Sequence, residues 1–208
     1  MNHLFPIFLK LDNPDLHLLI VGGGYVGLEK IEAVLGNSPQ ATITLIAPEI
    51  RPEIQELVAD KERVKLIFRR FEDADLDGKD LAIVATNDKE ENKRIKQVAR
   101  TKHLLCNVAD TPDFCDFYLS SVVKKGNLKV AISTNGMSPT LAKRLREVLT
   151  DSLPDDLETA MEQLKAVRDM LRGDFAYKVE ELNRITEVLV KEKVAKSEAE
   201  KSENQGLD

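Results

Sequence analysis

Residues 18–30, LLIVGGGYVGLEK, constrain this chain more than any other stretch: an apolar, β-branched run breaks into three glycines and resumes with helix-forming residues. The spacing Gly22-x-Gly24-x-x-Gly27 has a mechanism when it joins a strand to a helix. The first glycine permits a tight turn, the second lets backbone come close to a pyrophosphate, and the third lets the helix pack against the sheet. The helix start at Tyr25 and Val26 adds unpaired N–H groups and a partial positive charge. The competing reading is a glycine turn in an α/β domain that binds no nucleotide, and the surrounding pattern is what separates the two.

That pattern is a strand–helix alternation. Short apolar runs at 17–21, 42–46, 64–67, 81–85 and 103–108 are separated by helical patterns at 26–35, 54–59 and 90–100, the rhythm of a parallel, doubly wound sheet. The run LAIVAT is apolar on both faces, as a strand covered by helices on both sides must be. The glycine motif therefore follows a strand, opens a helix and begins a strand–helix–strand unit, as a dinucleotide cradle requires.

After Asp110 the rhythm changes. Strands are expected at 117–123 and 128–134, joined through Lys125-Gly126-Asn127, a hairpin signal. Ser138-Pro139 is a helix start, a capping serine with proline at the first helical position, and the helix should stop before Pro154. Leu157, Met161, Leu164, Val167 or Arg168, and Leu171 mark one helical face; Gly173 interrupts, and Val179, Leu182, Ile185 and Leu189 mark a second. The expected organisation is an α/β Rossmann domain over 1–112, a hairpin-containing segment over 113–152, to which the resemblance given below adds a dimerisation role, a helical region over 153–194 and a disordered tail over 195–208.

Charge narrows the partners. Residues 1–150 carry 21 acidic and 21 basic side chains, while 151–208 carry 15 and 9, so the net charge of −6 belongs to the tail. With no broad basic footprint, nucleic acid is not an expected partner. No apolar run is long enough to span a bilayer, and the beginning MNHLFPIFLKLDNPD has no secretory or transit character. A cytoplasmic protein that does not engage a membrane is expected. Cys106 and Cys115 lack a CxxC spacing, and His3, His17 and His103 are scattered, so no resident metal site is expected.

In a doubly wound sheet ligands lie across the carboxyl ends of the strands. Thr86, Asn87 and Asp88 follow one strand, Asn107 and Asp110 another, so Thr86, Asn87 and Asn107 are candidates to face a cofactor. Thr86–Asp88 read equally as the cap of the next helix. The acid usual at the tip of the second strand is replaced by Ala47-Pro48, leaving Glu49 as the candidate for the adenosine ribose hydroxyls. NAD is expected as cofactor, with Arg51 keeping NADP open. Asp110 before Thr111-Pro112 reads as a turn residue or as a catalytic base.

Several motifs in order, PIFLKL, LIVGGGYVGLEK, LAIVATND, NVADTPDFCDF and KVAISTNGMSPTLAKRLRE, resemble the precorrin-2 dehydrogenase/sirohydrochlorin ferrochelatase family, the siroheme synthase domain. The resemblance covers roughly residues 5–150. It implies NAD-dependent oxidation of precorrin-2, a tetrapyrrole with eight carboxylates, to sirohydrochlorin, with ferrous iron as a substrate of a second step rather than a bound cofactor. It also implies a homodimer whose hairpin segments exchange. Asp110 matches the family's catalytic aspartate in NVAD.

For the substrate carboxylates the candidates are Ser133, Thr134, Asn135, Gly136, Ser138 and Arg144, which offer donors and charge around a helix start. Lys143 and Arg146 read better as a solvated face. Thr134 and Asn135 stand where the family more often has Ser and Gly, which leaves the loop's shape open. Bacterial relatives often carry a fused methyltransferase; this chain is too short for one, so a separate methyltransferase is expected to supply the substrate. The alternatives from other classes are an NAD-sensing module without catalysis and a chelatase without redox activity.

Overall fold

Alternate residues of strand β1 (His17–Val21) enter two different cores, and this decides the architecture. Leu18 and Ile20 belong to one buried cluster, Leu19 and Val21 to the other, as the two-residue period of a strand dictates. The first cluster takes Ile31, Val34 and Leu35 from helix α1 (Tyr25–Asn37) and Ile54 and Val58 from helix α2 (Pro52–Val58). The second takes Ile95 and Ala99 from helix α3 (Lys89–Thr101), with Leu76 from a single 3-10 turn. Strands β2 (Thr42–Ala47) and β4 (Leu81–Val84) divide their side chains in the same way. A strand apolar on both faces needs helices on both sides, and the chain supplies them.

The computed structural model describes residues 4–187. Their five-stranded sheet is parallel throughout, with the order β3 (Val64–Phe68), β2, β1, β4, β5 (Leu105–Val108). This is the Rossmann-like α/β arrangement. By compactness the described chain divides into residues up to 122 together with 131–146, and 123–130 together with those from 147 onward. The sheet, its helices and the start of α4 (Pro139–Ser152) form the first unit.

Beyond β5 the chain is tied back onto that strand. Asp116 accepts a hydrogen bond from Cys106 N at 2.9 Å, and its own N–H reaches Cys106 O at 2.8 Å. Phe117 and Leu119 then pack against the first core. This corrects the expected strand at 117–123: strand β6 is Ser121–Lys125, because the apolar residues before it are used for burial on the sheet domain. Strand β7 is Leu128–Ile132 and pairs with β6 in a separate two-stranded sheet. The Gly126 φ of +55° fits the first central position of a II′ hairpin turn. The 103–108 strand is likewise shorter than expected, because His103 closes α3 in the left-handed region at φ +57°, with Leu104 N bonded to Ala99 O.

In the second unit the hairpin tip is bound by acids at the start of helix α5 (Leu157–Met170): Lys125 Nζ lies 2.5 Å from Asp155 Oδ1, and Asn127 N donates to Glu158 Oε2 at 2.5 Å. Leu157, Met161, Leu164, Val167 and Leu171 are the half-buried face among exposed neighbours. A further helix starts at 175 and continues to 187, with Val179 and Ile185 exposed. His3, Leu189 and the expected tail at 195–208 lie outside the described residues. Among those described, no helix is long and apolar enough to cross a membrane, and no cluster of His, Cys, Asp or Glu is placed to hold a metal ion.

Candidate functional site

The loops that follow β1, β2, β3 and β4 converge at the carboxyl ends of the strands and line one cleft of about 750 Å³, a size typical of small-molecule sites. The chain runs from β1 outward to β2 and β3, then returns to place β4 on the other side of β1. Such a reversal opens a crevice where ligands of doubly wound sheets bind. Of the residues singled out in the sequence, Gly22, Gly24, Glu49, Arg51, Thr86, Asn87 and Asp88 line the cleft, while Tyr25, Val26 and Gly27 are not part of its lining.

The glycines divide by what a side chain would meet. A Cβ at Gly22, whose φ is +121°, would lie 2.3 Å from Ala85 O, and one at Gly27 would lie 2.1 Å from Gly22 O. These two seat the turn on β4 and the helix on the turn. A Cβ at Gly24 meets nothing within 4 Å, so the space beside this backbone is open to a ligand. Gly24 caps α1 without any side-chain hydrogen bond, and the first turn holds no acid. The first N–H groups of α1, on Tyr25, Val26 and Gly27, therefore have no capping acceptor, which is the arrangement an anion occupies. These residues fit a dinucleotide pyrophosphate.

Charged groups gather where β2 and β3 end. Arg51 lies flat over the Tyr25 ring, 3.6 Å from its centroid, and pairs with Glu53. That hydrogen bond raises the Arg51 pKa further. Its Nε is buried with no hydrogen-bond partner among the described residues, so stacking and the Glu53 contact hold the side chain in place. Arg70 and Glu49 are exposed on the cleft and form no side-chain hydrogen bond or ion pair among the described residues. The loop bearing Arg70 is rigidly anchored: Arg69 grips Asp75 with two hydrogen bonds of 2.8 and 2.6 Å, and Glu72 N donates to Asp75 Oδ2 at 2.8 Å.

At the end of β4, Asp88 caps α3 by accepting from Glu90 N and Glu91 N, both at 3.0 Å. Thr86 is fixed by buried Asn92, whose Nδ2 donates to Thr86 O at 3.0 Å while the Thr86 hydroxyl donates to Asn92 Oδ1. Cap and cleft wall are thus the same segment. Glu91 also lines the cleft, but its hydrogen bonds to Arg94 hold its pKa below the usual carboxylate range.

At the end of β5 the expected pair separates. Asn107 is buried, with Nδ2 donating to Phe117 O at 2.8 Å, and it does not line the cleft. It joins β5 to the segment that leaves it. Asp110 is exposed in the following turn, in the left-handed region at φ +56°. It also lies off the cleft lining, but Ala109 N bonds to Val84 O at 2.9 Å, which keeps this turn beside the end of β4. Burial raises both thiols, Cys106 to about 12, so they are neutral packing groups.

The 133–138 loop is a separate constellation. Met137 N bonds to Thr134 O at 2.9 Å, with Asn135 at φ +52° and Gly136 at φ +79° between them, a turn of the I′ type. Asn tolerates the left-handed region, so Asn135 fills this place without a glycine. Ser133 Oγ accepts from Asn135 N at 3.2 Å, Thr134 Oγ1 from Ser138 N at 3.0 Å, and Ser138 Oγ caps α4 by accepting from Leu141 N at 3.2 Å. The loop is preformed by its own hydroxyls. Arg144 lies exposed on α4.

Two residues of the cleft, Gly23 and Arg70, and Asn92, which holds Thr86 from behind, escape a sequence reading. Gly23 is the x of the glycine motif, yet a Cβ there would lie 2.4 Å from Glu49 O; three adjacent glycines were the only signal. Arg70 sits in a loop without a motif, and Asn92 reads as an ordinary helical residue.

Comparison with known proteins agrees with this geometry. A family model described as putative NAD(P)-binding matches residues 7–121, and one described as sirohaem biosynthesis protein central matches residues 125–152. A siroheme synthase of Methylococcus capsulatus is 37% identical over 167 residues, covering 80% of this chain and 34% of that protein. One of Thioalkalivibrio sulfidiphilus is 35% identical over 150 residues, covering 72% and 30%. The chain thus spans about a third of the length of these relatives. Among solved structures, SirC, precorrin-2 dehydrogenase, superposes with a TM-score of 0.70 at 28% identity, covering 88% of this chain and 89% of that one. The match to an NAD(P)-binding model, the match to a sirohaem biosynthesis model after it and a fold shared over 88% of the chain with a precorrin-2 dehydrogenase place this chain in the siroheme synthase/precorrin-2 dehydrogenase family.

Proposed function

We propose that the protein oxidises precorrin-2 to sirohydrochlorin, using NAD as hydride acceptor. The observation that carries this reading is the open face of Gly24 at the uncapped start of α1, within a chain that shares its fold along nearly its whole length with a precorrin-2 dehydrogenase. Bound in the cleft, the dinucleotide supplies a nicotinamide ring that accepts a hydride. The α1 N–H groups hold its pyrophosphate, Glu49 accepts from its ribose hydroxyls, and Thr86 and Asn87 border its nicotinamide half. Precorrin-2 loses a hydride and a proton in this step, so a base must stand near the nicotinamide.

Asp110 is that base. It is exposed at the carboxyl end of β5 and held in a fixed turn beside β4. The substrate's carboxylates are held by the preformed 133–138 loop, through the hydroxyls of Ser133, Thr134 and Ser138, the Asn135 side-chain amide and the N–H group of Gly136, with Arg144 adding charge. Precorrin-2 reaches the protein from a methyltransferase. The same carboxylate serves a second step in which ferrous iron enters sirohydrochlorin and displaces two pyrrole protons. The catalytic form is a homodimer joined through the segment that follows the sheet domain, and the exposed stripe of Leu141, Leu145 and Val148 on α4 supports this.

Asp110 is tested by supplying precorrin-2 and NAD, then ferrous iron, to the wild type and to Asp110→Asn. Asparagine retains the left-handed backbone but cannot accept the proton. The expected result is loss of oxidation by about 10²–10⁴-fold, with loss of iron insertion, in a variant of unchanged melting temperature. Full oxidation by the folded variant rejects Asp110 as the base.

A further inference from the structure

Asn92 lies buried on α3 and directs both ends of its amide at one residue of the cleft wall, Thr86. The Thr86 carbonyl can only accept, so the amide nitrogen faces it, at 3.0 Å. That fixes the amide: Oδ1 faces the Thr86 hydroxyl, and because Oδ1 can only accept, the hydroxyl must donate. An unrestrained hydroxyl turns its proton to suit a ligand. This one is already committed.

The neighbours of the hydroxyl act in the same sense. The other acceptor within its reach is Asp88 O at 3.2 Å, which also accepts from Asn92 N at 2.9 Å. Both directions open to the proton therefore lead into the cap of α3. A hydroxyl oxygen has two lone pairs. Asp88 N donates to it at 3.2 Å, and no other donor among the described residues reaches it. Thr86 is half-buried and lines the cleft, so what its hydroxyl can offer a ligand is an acceptor.

We propose that Asn92 is a positioning residue that makes Thr86 a hydrogen-bond acceptor toward the nicotinamide half of the dinucleotide, matched to a donor there, the carboxamide NH2 group or a ribose hydroxyl. This rests on the reading that the cleft binds a dinucleotide with Thr86 beside that half. Asn92 acts through Thr86 without touching the ligand. It favours a donor at this point and disfavours a group that can only accept, since two facing acceptors leave both unpaired.

Titration calorimetry of the full chain tests this without any turnover. NAD is compared with its acetylpyridine analogue, in which a methyl ketone replaces the carboxamide and only the acceptor remains, on the wild type, Thr86→Ser, Thr86→Val and Asn92→Ala. With the carboxamide as donor, the wild type and Thr86→Ser should favour NAD by about fivefold or more, the worth of one hydrogen bond. Thr86→Val, which keeps the shape of the side chain without the hydroxyl, should bring the two ligands to about the same Kd, and Asn92→Ala, by releasing the proton, should narrow the preference. With a ribose hydroxyl as donor, the wild type should bind the two ligands alike, and Thr86→Val and Asn92→Ala should each weaken both. Thr86→Val that binds both ligands as the wild type does overturns the proposal, and this pair of Thr86 variants reads the acceptor even where Asn92→Ala folds poorly. A folded Asn92→Ala with wild-type affinities for both overturns the part given to Asn92. Failure of the wild type to bind NAD overturns instead the reading on which the proposal rests.

Discussion

A Cβ at Gly24 meets open space while one at Gly22 or Gly23 meets backbone oxygen within 2.4 Å, so substitutions at neighbouring glycines should fail for different reasons. Gly24→Asp places a side chain and a negative charge where a pyrophosphate would lie. It should abolish NAD binding with the circular dichroism spectrum and melting temperature unchanged. Gly23→Ala should cost more than about 3 kcal/mol, the scale of severe steric and backbone mechanisms, read from the urea midpoint. If Gly24→Asp retains NAD affinity, the cradle is wrongly assigned. His103 offers the converse case. It occupies the left-handed position that closes α3, where glycine carries no Cβ penalty, so His103→Gly should stabilise the protein by about 1 kcal/mol. Gly22, Gly24 and Gly27 could be identified in the sequence because their spacing encodes a turn. Gly23 and Arg70 could not, since their role depends on the loops that arrive from β2 and β3.

The loop after β3 shows how an element without periodicity is held. Arg69, Glu72 and Asp75 lock it, and Arg69's hydrogen bond is the main reason that the Asp75 carboxyl is held below its usual range. A depressed native pKa means that folding favours the ionised form. The contribution is therefore complete above the unfolded value of about 3.9 and is lost as pH falls through the native value. Asp75→Asn should accordingly lower stability at pH 7 and flatten the decline below about pH 4, measured by chemical denaturation across pH. Equal acid limbs for variant and wild type would contradict this. The helices and the central strands were evident from apolar spacing, down to the Ser138-Pro139 start of α4. The strand expected at 117–123 was not, because burial of Phe117 and Leu119 on the sheet domain produces the same apolar signal as a strand.

At the scale of the whole molecule, α4 exposes Leu141, Leu145 and Val148 at 51%, 41% and 59%, at three- and four-residue spacing along one face. An exposed apolar stripe of this kind is suited to an interface, and the occupant proposed for it is a second copy of the chain. Light scattering at micromolar concentration should give twice the chain mass, and Leu145→Asp should return it to one; a monomeric wild type would remove the dimer from the proposed catalytic form. The sheet domain and its cofactor class followed from the sequence because alternation and glycine spacing are local. The separation of Asn107 from the cleft and the inward hydrogen bonds of the 133–138 loop were hidden, since both depend on contacts that only the folded chain makes. In the proposed reaction this fold passes a hydride from precorrin-2 to the dinucleotide in the glycine cleft. It is tested most directly by following sirohydrochlorin and NADH together, by absorbance, after the full-length protein is mixed with precorrin-2 and NAD in the absence of oxygen. The two products should rise in a one-to-one ratio, and neither should form with Gly24→Asp. Sirohydrochlorin formed without NADH, or no oxidation by a protein that binds NAD, would contradict the account.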